Sequence, residues 1–494
     1  MWSDRVCSCG LMEEVTSECV SLGAVLRILE DDRCTALHFD HVSDDCNVVS
    51  WSDASICRLS LVRRYLRVAL ALAHSHSLTT LKVLHCSPEL LVCIVEGLKY
   101  NRVIRYLKFG ECGAHIDNDT GSALAEVVRR SNVLHCFKLD AGNAPMDSTA
   151  GVAMANALKD HRFLQRFQLL VSGTHMDNQT GLAMARALEQ NIVLQRFAFD
   201  VSQTSMDDVT GGAIGKALMC NRVLQDFEFS VGRTGMGNKT GFAMARAVNG
   251  HVSLRCFQFG AYATLMDSES GVAMASALKE SLVLRRFGLD VSGTPNDNRT
   301  GVAMADALKC NKVLGRFELA VHGAAMDNDT GVAMADALRG NMALWRFQLS
   351  VGQTGVCDIT GIAMADALKH NIVLQYFSLE AFATGINRVT EDAMVGALKH
   401  NVVLQHFDFS VCFDGELVSA KRAYIDRNRA IRQQRLSLTC LSKCAVDAGF
   451  QSLVEVCFRA RVLKYHLPAS CNLQPIEFVG GEQGHVVRSV VVTE

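Results

Sequence analysis

The chain has 494 residues, with 49 basic and 51 acidic side chains, 19 cysteines and only five prolines. Charges so nearly balanced exclude a general attraction to nucleic acid or to an anionic membrane, and so little proline argues against a disordered or linker-rich protein. The cysteines are scattered without an even framework, which fits buried thiols in a reduced, cytoplasmic setting better than a disulfide scaffold.

Residues 1–77 begin with MWSDRVCSCGLMEEVTSE, which carries acids and no unbroken apolar stretch, a poor secretory signal. The run YLRVALALA at 65–73 is too short for a membrane helix, which needs about 20 apolar residues. This segment is expected to be an N-terminal cap of mixed, partly helical structure. It has room for an irregular first repeat around Cys34-Leu37-Phe39 and covers the apolar edge of the first regular unit. Leu78-Leu81-Val83 reads as a strand, and Ile104-Leu107-Phe109 comes 26 residues later.

From about Gly121 to Leu404 a unit of 30 residues recurs without insertion. Its opening glycine returns at Gly121, Gly151, Gly181, Gly211, Gly241, Gly271, Gly301, Gly331 and Gly361, and Glu391 ends the run. A fixed period of this length marks a solenoid whose units contact only their neighbours. The first part of the unit is LxxFxL, seen as Leu164-Phe167-Leu169, Leu284-Phe287-Leu289 and Leu344-Phe347-Leu349; its alternation predicts a short strand. The second is DNxTGxAMAxALKxN, as in Asp327 to Arg339, where Met334 and Leu338 lie four apart on one helix face. Asp327 suits the N-cap, and Lys309, Arg339, Lys369 and Lys399 complement the negative end of the dipole.

Strand-then-helix units require right-handed crossovers, so their strands run parallel. Strands pair about 4.8 Å apart while packed helices need roughly 8–10 Å, and that mismatch bends the stack. The predicted fold class is α/β: a horseshoe solenoid over 78–414 with parallel strands on the concave face and helices on the convex face. After Leu404 the phase is lost. The stretch ELVSAKRAYIDRNRAIRQQ at 416–434 predicts a charged closing helix, 437–466 further short helices, and 472–494 a strand-like or loose tail, so 415–494 forms a C-terminal cap.

The LxxFxL and GxAMAxAL segments resemble, over about 78–410, the leucine-rich repeats of the ribonuclease-inhibitor type, which also form the arrays of NOD-like receptors. Phenylalanine replaces the usual second leucine, and the unit is slightly longer, so the turn between strand and helix is expected to differ. The asparagine ladder implied shortly after the strand is missing there. Val171, Val201 and Val231, then Thr174, Thr204 and Thr234, occupy that stretch. The resemblance implies a non-enzymatic protein-binding array with a regulatory or immune-type role.

Several motifs inside the unit mimic chemistry. Asn118, Asn178, Asn238, Asn298 and Asn328 open Asn-x-Thr sequons, but their place at the helix start favours capping over glycosylation. Gly211, Gly215 and Lys216 imitate a phosphate loop, yet Ala217 comes next where Ser or Thr is required. Aspartates at Asp117, Asp147, Asp177, Asp207, Asp267, Asp297 and Asp327 suggest calcium, but one carboxylate per unit is a cap, not a cage. Cys7 with Cys9, or Cys440 with Cys444, lacks the further ligands of a zinc site. No cofactor, metal or catalytic residue is expected.

The better signal lies in the residues flanking Phe in LxxFxL, which face the concave wall. One file reads Arg166, Arg196, Asp226, Cys256, Arg286, Arg316, Arg346 and Tyr376; the file two residues on reads Gln168, Ala198, Glu228, Gln258, Gly288, Glu318, Gln348 and Ser378. They vary from copy to copy, and Arg forks with Trp345 beside Arg346 are preferred interface anchors. The plainer alternative is a solvated sheet face with cross-strand pairs such as Arg316 with Glu318. The expected function is a non-enzymatic scaffold that grips a protein partner through Arg166, Arg196, Asp226, Glu228, Arg286, Arg316, Glu318, Trp345, Arg346, Gln348 and Tyr376, with neither nucleic acid nor membrane as partner. Two rivals stand beside it: a GTPase-activating protein like the Ran activator, which these repeats resemble, and a ubiquitin-ligase adaptor using an elongin-type box at 452–457.

Overall fold

The computed structural model describes residues 16–21, 25–26, 29, 36–43, 54–84, 86–110, 116–410, 416–447, 472–479 and 486–493. Two compact units divide the chain, Met1–Arg422 and Ala423–Glu494. The first holds one sheet of 14 strands in sequence order. These are β1 (Thr16–Ser21), β2 (Ala36–Ser43), β3 (Thr80–Leu84), β4 (Tyr106–Gly110), β5 (Cys136–Asp140), β6 (Arg166–Leu170) and β7 (Arg196–Asp200), then β8 (Asp226–Ser230), β9 (Cys256–Gly260), β10 (Arg286–Asp290), β11 (Arg316–Ala320), β12 (Arg346–Ser350), β13 (Tyr376–Glu380) and β14 (His406–Ser410). Every neighbouring pair is parallel, and from β3 onward a helix lies between consecutive strands. The fold is a leucine-rich-repeat solenoid, with strands lining the inner face and helices the outer. In the second unit, β15 (Asn472–Val479) and β16 (Val486–Thr493) pair antiparallel.

The array extends further toward the N-terminus than the 30-residue period. Leu37 and Phe39 lie on β2, which pairs with β3, and β1 adds a rung before it. A helix, Ala54–His74, connects β2 to β3. At the other end the closing helix is longer than predicted, Glu416–Asp447. The short helices expected at 437–466 are replaced by that helix up to Asp447, and 448–466 lies outside the described residues.

Inside the sheet, Phe137 and its equivalents through Phe407 form a continuous stack of buried rings with centroids 5.8–6.1 Å apart. That spacing exceeds the about 4.8 Å between paired strands, as curvature requires for side chains on the outer side of the sheet. Phenylalanine fills this layer from β5 to β14, and Leu81 and Leu107 occupy the same register on β3 and β4.

The helices meet through the opening glycine. A Cβ at Gly301 would lie 2.2 Å from Thr330 Oγ1 of the next helix, and Gly181, Gly331 and Gly361 face Thr210, Thr360 and Thr390 in the same way. Glycine is required because the next helix occupies the space of its side chain. At Glu391 that demand ends: its carboxylate instead accepts the Leu417 amide at 3.1 Å, joining the last repeat to the start of the closing helix.

An asparagine ladder does exist, but before the strand. Asn341 closes the helix Asn328–Gly340; its Oδ1 accepts the amides of Ala343 and Leu344, both at 2.9 Å. Its Nδ2 donates to the carbonyls of Leu308 (2.7 Å) and Asn311 (3.3 Å) in the preceding repeat. Asn191, Asn221, Asn311, Asn371 and Asn401 repeat this fully buried arrangement. After the strand, Val171 is buried and Thr174 Oγ1 donates to its carbonyl at 2.8 Å. The chain there turns through a left-handed residue, Gly173 in this copy (φ 71°) but Gln203, Ala263 or Gln353 in others. The altered strand-to-helix turn is therefore built by valine, threonine and one left-handed position.

Two histidines replace asparagine in the ladder. His251 Nδ1 accepts the amides of Ser253 (3.3 Å) and Leu254 (3.0 Å), which fixes the neutral ring. Burial, with Arg222 adding repulsion, lowers its pKa to about 4, and burial also lowers that of His161. Below the ordinary value of 6.5 the unfolded chain gains a proton that the folded ring refuses down to about pH 4. This contribution to stability is thus complete above pH 6.5 and is lost as pH falls through that window.

Two outcomes are expected. Gly301→Ala lowers stability by about 2 kcal/mol through overpacking, and adding Thr330→Ala recovers part of it; equal melting of Gly301→Ala and the native chain would refute the close approach. His251→Asn raises the thermal midpoint at pH 5 relative to the native chain, by about 2 kcal/mol of stability, with a much smaller gain at pH 8.

Candidate functional site

Parallel register places each concave file in a straight row. Arg166, Arg196, Asp226, Cys256, Arg286, Arg316, Arg346 and Tyr376 are successive partners from β6 to β13, as are Gln168 through Ser378. Phe and Leu between them point into the core, so the alternation of the strand alone orients the files.

The candidate residues separate into two groups. Toward the N-terminal side, Arg196 donates through Nε (2.8 Å) and a terminal nitrogen (2.7 Å) to one oxygen of Asp226. Glu228 is half-buried beside them, and burial raises its carboxyl above the ordinary range against the pull of Arg286. Arg166 is exposed.

On the C-terminal side the residues converge. Glu318 is 2% exposed. Its two oxygens sit 3.6 Å from Arg286 and 3.4 Å from Arg346, on the strands either side, whereas Arg316, expected as a cross-strand partner, stands on the same strand as Glu318. The Nε atoms of both arginines are buried without a hydrogen-bond partner, so charge attraction holds this triad. Gly288 lies between Gln258 and Glu318 and has no side chain to part them, so Gln258 reaches Glu318 at 3.5 Å. Arg346 also approaches Gln348 at 3.5 Å.

Aromatic contacts run across repeats. The guanidinium of Arg316 lies 4.4 Å from the ring centroid of Trp345, and that of Arg346 lies 3.9 Å from Tyr376. Tyr376 stacks on His406 at 4.2 Å with the rings 10° from parallel. Trp345 therefore pairs with the arginine of the previous repeat, not with its sequence neighbour Arg346. Gly315 makes this possible, since a Cβ there would stand 2.6 Å from the indole nitrogen. His406 was not among the sequence candidates; extending the first file by one more unit finds it. The row that ends each strand, including Asp200, Asp290 and Glu380, was also missed, because the sequence pattern marks only the two positions flanking Phe.

The mimicking motifs resolve into structure. Gly211, Gly215 and Lys216 lie within the continuous helix Asp208–Cys220. Asp117, Asp147, Asp177, Asp207, Asp267, Asp297 and Asp327 each accept an amide of their own helix. Arg299 and Ser268, with a backbone amide, hold Asp297 down to about 2. Where the cap is Gly237, Asp208 of the preceding repeat accepts the amides of Gly237 and Thr240 instead. The sequon asparagines bridge repeats: Asn178 Nδ2 donates to Asp207 at 2.9 Å and Asn298 to Asp327 at 2.6 Å. Among the described residues no three His, Cys, Asp or Glu side chains gather as a metal site, and no helix is long and apolar enough to cross a membrane. Cys256, on the wall, has its thiol pushed up to about 12 by burial and is no nucleophile at neutral pH. Cys7, Cys9, the side chains of Cys440 and Cys444, and the box at 452–457 lie outside the described residues.

No protein-family model matches the sequence, and neither does any curated protein. Among solved structures, the chain is similar to leiomodin-1 actin-binding site 2, with 22% identity over 29% of this chain and 82% of that one, at a TM-score of 0.26. It is also similar to the tropomodulin C-terminal domain of Caenorhabditis elegans, with 13% identity over 45% and 98% of the two chains, at a TM-score of 0.24.

Breaking the central triad is expected to be costly. Glu318→Ala leaves Arg286 and Arg346 facing each other in a partly dry site and lowers stability by about 3 kcal/mol, read as a drop in the urea midpoint. An unchanged midpoint would show that the arginines are held by something else.

Proposed function

We propose that this chain is a non-enzymatic scaffold that binds a protein partner through its concave wall, centred on the arginine–aromatic cluster of Arg316, Trp345, Arg346, Tyr376 and His406. The observation that carries the reading is the cross-repeat stacking of Arg316 on Trp345 and of Arg346 on Tyr376. Such stacks fix long side chains before any partner arrives, so association loses less rotamer freedom, about 0.5–1.5 kcal/mol for each side chain already ordered. Tryptophan, tyrosine and arginine are also the residue types that dominate binding energy at protein interfaces. Glu318, itself beside Arg286, holds Arg346 of this cluster by charge, while Arg166, Arg196, Asp226, Glu228 and Gln348 extend the contact surface along the wall. The ribonuclease-inhibitor subtype, the likeness to NOD-like receptor arrays, a regulatory role and a cytoplasmic location belong to the same reading and rest on the sequence pattern.

Charge reversal at Arg286 or Arg346 is a poor probe, since it would strip Glu318 of its counter-charges. Trp345→Ala with Tyr376→Ala removes contact area while leaving the triad intact. Used as bait in the native cell extract, the double variant is expected to lose the partner that the native chain retains, with at least a tenfold drop in affinity and a thermal midpoint close to native. Val302→Ser with Ile362→Ser, on the outer helices, should bind normally. If the outer pair abolishes capture and the inner pair does not, the binding face is the convex one.

A further inference from the structure

Three lysines occupy consecutive rungs near the N-terminal end of the inner wall. Lys82, Lys108 and Lys138 are register partners on β3, β4 and β5, and all three are half-buried. Neighbouring strands stand about 4.8 Å apart, and on the inner side of a curved stack the side-chain tips converge. Like charges directly opposite one another work against pairing. The same file continues through Gln168, Ala198, Glu228, Gln258, Gly288, Glu318, Gln348, Ser378 and Asp408, and in none of these steps does a charge follow itself on the next rung. Beyond Lys82 the positions are His38 and then Glu18.

Other features reinforce this stripe. Arg166 adds an exposed cation on β6, and the Tyr106 ring lies 6.0 Å from Lys82 Nζ. Against these cations the inner positions of β3 to β6 offer one acid, Asp140. On the next two strands the sign reverses, with Asp200, Asp226 and Glu228, of which Asp226 is already paired with Arg196. Burial raises the Asp200 and Glu228 carboxyls above the ordinary range, and Asp140 and Asp200 add repulsion to the first and second. Both would be relieved by a cation. The wall thus presents a basic section followed by an acidic one.

We propose that this end of the wall binds an acidic peptide segment laid across the strands, its carboxylates over Lys82, Lys108, Lys138 and Arg166, with a basic residue following over Asp200 and Glu228. This rests on the reading of the concave wall as the binding face and adds the chemistry of what it holds there. The reversal of sign favours a peptide over a nucleic acid. A polynucleotide carries negative charge at every step and would run onto the acidic rungs, whereas a peptide can change sign within a few residues. A flat membrane surface does not follow the inside of a curve.

The test uses the full chain and a fluorescein-labelled peptide of four glutamates, two glycines and two lysines, read by fluorescence anisotropy. The native chain is expected to bind it, with affinity falling at least fivefold between 50 and 300 mM salt. Lys82→Gln, Lys108→Gln and Lys138→Gln together should weaken binding at least tenfold and leave the peptide-free thermal midpoint equal or higher. Lys159→Gln with Lys279→Gln, on the outer helices, should change neither. The inference is overturned if the native chain does not bind the peptide, if the triple variant binds it as well as the native chain, or if a single-stranded oligonucleotide competes for the lysines with higher affinity. Loss of the peptide only in the Trp345→Ala, Tyr376→Ala variant would overturn this placement yet preserve the wall as the binding face. Loss only in the outer-helix variant would overturn both.

Discussion

A backbone turn that passes through the interior of a stack must find hydrogen-bond partners in the neighbouring turn, because water does not reach it. Ser131, His161, His251 and Ser281 hold the helix-to-strand turn of four repeats; in the other repeats that turn meets this demand with one asparagine. Its oxygen closes its own turn, and its amide satisfies two carbonyls of the repeat before. Asparagine offers both a carbonyl and two donors in a single planar group, which histidine and serine reproduce only in part. An inserted or deleted residue would move that group off its partners, so the repeat keeps constant length across Gly121 to Leu404.

The remaining layers depend on the same fixed spacing. Glycine and threonine let adjacent helices approach without a side chain between them, and the phenylalanine stack fills the wider layer beneath the curved sheet. Aspartate and asparagine at each helix start join one copy to the next, and where the cap is lost at Gly237 the neighbouring Asp208 supplies it. With structural demands met in the core, at the helix contacts and in both turns, the inner-facing strand positions are left free to vary. Variation there is where partner chemistry can be written.

That freedom has limits. Glu318 on the wall is as buried as a core residue and is held between two arginines. Part of what the sequence offers as gripping surface is therefore also supporting structure, and the aromatic partners Trp345, Tyr376 and His406 are the separable part. The same wall carries a basic section at one end and arginine–aromatic stacks at the other, so one scaffold presents two chemistries along its length.

The amino-acid order by itself determined the solenoid, the helix caps and the membership of each concave file. Those depend on periodicity, on alternation along a strand and on local side-chain-to-backbone bonds, all of which act within one repeat. The asparagine ladder is not legible in one unit, although its residue ends most of the helix motifs, because its role appears only when two repeats are superposed. Likewise, which arginine stacks on which ring, the displacement of Glu318's partners to the flanking strands, and the reason each opening position is glycine were decided only by tertiary structure. These are contacts between copies, and their identity depends on the register and separation that stacking imposes, which no single unit encodes.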